Sequence, residues 1–164
     1  MQIDREQRSV PPWWRVLLGF LVAPAAAALL AATLQPGYDG LPNFFERVWR
    51  TAVFYGVFGA FPTAMFIGLP AFFLLRHRLA PTAINCALVG AIIAALPWTV
   101  ITLLPQAADE ASIGGRLTII DGQLTAYGWL MQGKFVGAIA LFGFAGGVIF
   151  WVVVAAARKP KPLP

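Results

Sequence analysis

The stretch AINCALVGAIIAALPWTVITLL, Ala83 to Leu104, runs for 22 residues without Asp, Glu, Lys, Arg or His. At 1.5 Å per residue a helix of this length spans the ~30 Å hydrocarbon core of a bilayer. Three more stretches share the property: Val16 to Leu34 (19 residues), Ala52 to Leu75 (24) and Phe135 to Ala157 (23). Composition agrees, because 59% of the 164 residues are hydrophobic and 12% charged, against ~45–50% and ~25% in soluble domains. The longest gap between spans, the 30 residues from Pro105 to Lys134, is too short for a second domain. The fold predicted is therefore an all-α integral membrane protein, one domain over 1–164 built as a four-helix transmembrane bundle.

Charge placement orients it. The N-terminal tail, the turn after the second span and the C-terminal tail carry Arg5, Arg8, Arg15, Arg76, Arg78, Arg158, Lys159 and Lys161 against Asp4 and Glu6. The other two connections carry Arg47, Arg50, Arg116 and Lys134 against Asp39, Glu46, Asp109, Glu110 and Asp121. The positive-inside rule puts both termini in the cytoplasm, as an even number of spans requires. The net charge of +5 thus reads as lipid orientation, and no nucleic-acid partner is expected. The first apolar run exceeds the ~7–15 residues of a secretory h-region and follows a flank with acidic members, so it is read as a retained span. The compact, membrane-only architecture points to a bacterial inner membrane.

Small residues and prolines mark how the spans pack. Gly56, Ala60, Ala64 and Gly68 recur every fourth residue in the second span, and Ala83, Ala87, Ala91 and Ala95 in the third. Gly133/Gly137 and Gly143/Gly147 repeat the spacing around the fourth, and such stripes let helix backbones approach closely in lipid. Pro24, Pro62, Pro70 and Pro97 free carbonyls within the first three spans, so kinked, mutually supported helices are expected. A faint tandem repeat aligns Phe54-x-Gly56 with Phe135-x-Gly137, and Phe61 with Phe142.

Outside the spans two local signals stand out. Asn43, followed three residues later by Glu46, is a helix-start signature that opens either a short interfacial helix or an early start of the second span. Asp121-Gly122 lies between Leu117-Thr-Ile-Ile120 and Gln123-Leu-Thr-Ala126, which predicts an extracytoplasmic β-hairpin over 117–126 with a type I′ turn. Strict pairing would collect Leu117, Ile119, Leu124 and Ala126 on one apolar face, and Leu117, Ile119, Asp121, Gly122 and Leu124 form a candidate docking element.

Reactive chemistry finds little footing. Gly128 to Lys134 satisfies G-x-x-x-x-G-K, but Phe135 stands where a P-loop needs Ser or Thr and no buried strand precedes it. Ser9 and Ser112 are the only serines, and the sole histidine, His77, falls across the membrane from Ser112 between Arg76 and Arg78, where it reads as a headgroup-facing residue. Cys86 is the only cysteine, and Asp109 with Glu110 reads as a solvated acidic loop. No span holds an interior ionisable group of the kind that proton relays and coupled carriers use. Neither catalytic residues nor a metal or cofactor are expected. The expected role is a scaffold or accessory subunit whose partners are the bilayer and other membrane proteins or further copies of itself; the alternative is a small oligomeric transporter or channel.

Overall fold

The computed structural model describes residues 12–76, 78–80, 82–104 and 108–155. It contains four helices long and apolar enough to cross a membrane, with a three-stranded sheet between the third and fourth. The helices are α1 (Trp13–Leu34), α2 (Phe44–Leu75), α3 (Ala83–Leu103) and α4 (Ala126–Ala155). Helix α1 sits centrally, with Ala28, Ala31 and Ala32 buried along with Phe20 and Ala23.

Two faces of α4 are filled, each where one side of the contact has no side chain. Toward α3, a methyl group placed on Gly147 would sit 2.8 Å from the Ala87 Cα, and one on Gly143 would sit 2.5 Å from the Gly90 carbonyl oxygen. Ala87 is completely buried. Toward α1, a methyl on Gly19 would meet the Phe150 ring at 2.7 Å, and Gly146 lies over Ala23 and Ala27. Phe20, Phe72 and Phe150 then close one end of the bundle, with ring centroids 5.1 to 6.0 Å apart and edges meeting faces.

Helix α2 settles the choice left open at Asn43. The Asn43 Oδ1 accepts a 2.9 Å hydrogen bond from the Phe45 N–H, and the helix continues unbroken into the long apolar segment. Its prolines act through wide turns. Pro62 and Pro70 cannot donate to Phe58 and Phe66, and their rings crowd those carbonyls. Just ahead of each, the residue before proline bonds five residues back, Phe61 to Gly56 and Leu69 to Ala64, in two π-helical turns, Gly56–Ala60 and Ala64–Gly68. Pro24 and Pro97 lie in uninterrupted α-helix.

The predicted hairpin is part of a larger unit. Strands β1 (Glu110–Ile113), β2 (Arg116–Ile120) and β3 (Gln123–Leu124) form an antiparallel meander in that order. Ile119 pairs with Leu124 and Ile120 with Gln123 across a turn in which Asp121 (φ 49°) and Gly122 (φ 71°) are both left-handed, the type I′ form. Gly114 (φ 60°) and Gly115 (φ 76°) turn β1 into β2 in the same way.

Two expectations need correction. The Leu117–Ala126 pair does not form, because Thr125 ends the ladder and caps α4: its N–H bonds the Thr118 carbonyl at 2.9 Å, while its Oγ1 accepts the Gly128 N–H at 3.0 Å. Helix α4 consequently begins at Ala126, nine residues before Phe135. The uniform apolar face is also lost. The register slips where Ala111 faces Ile119 but Ser112 faces Leu117, so Thr118 is the extra residue of a bulge and alternation breaks there.

Candidate functional site

The end of the bundle that bears the sheet holds most of the polar geometry. Between α1 and α2 the chain is clamped by Arg47, which donates to the Gly37 carbonyl (Nε, 3.2 Å) and the Pro36 carbonyl (3.2 Å) and pairs with Asp39. Thr51, almost fully buried, accepts the Gly37 N–H at 2.9 Å and donates to the Arg47 carbonyl at 2.7 Å. One turn along, Arg50 pairs with Glu46 at 2.6 Å. Between α3 and α4, Gln132 donates to the Thr102 Oγ1 at 2.7 Å, which in turn donates to the Trp98 carbonyl at 2.7 Å. The Trp98 ring meets Phe135 edge to face at 5.2 Å.

The sheet lies on the first turns of α4. Leu124 reaches Gly128, whose missing side chain leaves room for the Thr118 carbonyl, and the Arg116 guanidinium stacks over Tyr127 at 5.5 Å. Thr118 is 5% exposed and donates to the Ala111 carbonyl, whereas Leu117 is 48% exposed, the reverse of simple alternation. Of the candidate docking residues, Ile119 and Leu124 are half-buried, Asp121 is exposed and Gly122 is half-buried at the turn. Ile113 and Ile120, outside the predicted face, are exposed, as is Leu117. A shallow depression of about 350 Å³ runs along Ile120, Asp121, Gln123, Leu124 and Thr125, and another of about 450 Å³ lies between Tyr38, Arg50 and the Val53–Phe58 face of α2.

The small-residue positions divide. Ala87, Gly143 and Gly147 lie in the α3–α4 contact with Gly90, and Ala91 is half-buried beside it. Gly56 and Gly68 are buried in α2, the first near Phe61 and Ala28, the second 3.3 Å from Phe20 at its added-methyl position. Ala60 and Ala64 are half-exposed at the wide turns. Gly137 and Gly133, expected on a packing stripe, instead face open space, with nothing within 4 Å of an added methyl group. The repeat register therefore aligns a buried Gly56 with an exposed Gly137.

Gly128 to Lys134 is helical, so its amides are directed along the axis of α4 instead of converging on a phosphate. Glu110 belongs to β1, and among the described residues no three His, Cys, Asp or Glu side chains gather as a metal site would need. His77 and Ser9 lie outside the described residues. Sequence reasoning missed the Arg47 clamp, the Gln132–Thr102 bond and strand β1. Gly114-Gly115 just ahead of the β-prone run Leu117-Thr-Ile-Ile120 was the available signal for β1; the other two join residues that no local pattern connects. No family model, curated protein or solved structure matches the chain.

Proposed function

We propose that the chain is a non-catalytic, multi-pass membrane component, a scaffold or accessory subunit, with both termini cytoplasmic and the sheet outside, in a membrane of the bacterial inner type. One observation carries the reading: the sheet exposes Ile113 (54%), Leu117 and Ile120, while Thr118 and Leu124 seat it against Gly128 of α4. Apolar side chains on a small, fixed sheet favour a protein or interfacial partner over open water. The exposed aromatic and aliphatic flank of α2, with Phe54, Phe58 and Phe66, supplies lateral surface for lipid or a neighbouring helix. Charge placement across the sequence supports the orientation.

The second reading, an oligomeric transporter or channel, draws on the Gln132–Thr102 pair, which puts polar atoms between α3 and α4. Purification in mild detergent at native expression, with sizing and identification of co-purifying chains, separates the two. A stoichiometric membrane partner whose association is lost on Leu117→Asp supports the accessory role. A lone homo-oligomer that moves a solute in reconstituted vesicles overturns it.

A further inference from the structure

We propose that the end of the bundle opposite the sheet is a docking surface for anionic phospholipid head groups, engaged by Arg15, Arg76 and Arg78; this rests on the membrane reading above. The mutual packing of Phe20, Phe72 and Phe150 brings the first turns of α1 and the last turns of α2 and α4 to one level. Arg15 and the turn after α2 therefore share an end of the molecule. The Arg15 guanidinium lies 5.0 Å from the centre of the Trp14 ring, and that of Arg76 lies 5.1 Å from the Phe73 ring. Both rings are exposed on the apolar perimeter, so each arginine extends from an acyl-facing aromatic toward the depth of the lipid phosphates.

The two ends meet positive charge differently. At the sheet end the carboxylates Asp39, Glu46, Asp109, Glu110 and Asp121 outnumber the cations Arg47, Arg50, Arg116 and Lys134. At the opposite end the described residues supply three arginines and no Asp or Glu. That surplus is complementary to a phosphate ester, which guanidinium groups recognise by paired hydrogen bonds. A soluble anion would meet the charge but gain nothing from the adjacent Trp14 and Phe73, whereas a phospholipid matches both. Each arginine near an anionic leaflet is expected to contribute about fivefold in preference.

The test uses the full-length protein in a neutral maltoside detergent, offered equal amounts of phosphatidylglycerol and phosphatidylcholine, with retained lipids counted by mass spectrometry of the intact complex. The wild type should retain phosphatidylglycerol by at least about tenfold, less so as salt is raised. The Arg15→Gln/Arg76→Gln/Arg78→Gln variant should approach parity, and Arg50→Gln at the sheet end should leave the preference intact. Parity in the wild type, full preference in the triple variant, equal loss in Arg50→Gln, or complete displacement of phosphatidylglycerol by inorganic phosphate overturns the proposal. Should the triple variant aggregate, Arg78→Gln alone, at an exposed position, should lower the preference about fivefold, and an unchanged value overturns the proposal. Alkaline carbonate extraction reads the underlying membrane assignment separately. Release from the membrane pellet overturns that assignment, whereas retention with lipid parity overturns only the docking surface.

Discussion

The molecule consists of two helical hairpins that solve the same problem by different means. In α3–α4 the helices touch through Ala87, Gly90, Gly143 and Gly147, backbone nearly against backbone, and a three-stranded sheet joins them. In α1–α2 the corresponding four-residue stripe, Gly56, Ala60, Ala64 and Gly68, is interrupted by wide turns, and a clamp centred on Arg47 and Thr51 orders the connection. An i→i+5 turn takes up one residue more than an α-turn, so positions beyond it are displaced around the axis. A stripe continuous in sequence is then discontinuous in space. Small-residue spacing predicts a seam only where the helix between its members is regular.

The contrast can be broken most severely at the α3–α4 contact. Gly147→Leu should cost about 3 kcal/mol or more and sharply reduce the yield of native-sized protein in detergent sizing, because the side chain must enter space held by backbone. Next comes the other hairpin's connection. Arg47→Ala removes bonds to two carbonyls and one carboxylate and should cost about 2 kcal/mol, seen as a lower thermal midpoint and faster proteolysis between α1 and α2. Gly122→Val forces a β-branched residue into positive φ and should cost about 1–2 kcal/mol, opening residues 108–125 to protease while α1–α2 keeps its resistance. Thr102→Val should lower stability by only about 0.6 kcal/mol, the scale of interhelical hydrogen bonds in lipid, and is best read by melting in detergent. Gly137→Leu sharpens the comparison from below: with open space around it, a melting midpoint matching wild type within about 0.5 kcal/mol is expected.

What was legible in the sequence follows from the range of the forces involved. Four apolar runs and the Asp121-Gly122 turn are local statements, and the helices and the type I′ hairpin appear where composition and φ preference require them. Gly114-Gly115 was equally local, but reading Asp109-Glu110 as a solvated loop hid the strand between them. The early start of α4 depends on Thr125 serving ladder and cap together, and either role alone would have been an ordinary reading. The bulge at Thr118 reversed the exposure of Leu117 because period-2 alternation holds only while register does. Kinks are expected at all four interior prolines, but proline chemistry alone does not select π turns: Pro62 and Pro70 follow them, whereas Pro24 and Pro97 lie in regular α-helix. Arg47 illustrates the remaining gap, since its acceptors at Pro36 and Gly37 are ten or more residues away and carry no side-chain signature.

Thr125 has a mechanical consequence. Its N–H and hydroxyl hold the Thr118 and Leu117 carbonyls, and the same hydroxyl accepts the Gly128 N–H in the first turn of α4. Strand and helix meet at one residue with no compliant linker between them. A load applied to the sheet is delivered along α4 without slack, and through Gly143 and Gly147 it reaches α3 by contact between main chains, which deform far less than interleaved side chains. The sheet, α4 and α3 are thus joined in series by hydrogen bonds and main-chain contacts, with Thr125 as the first link.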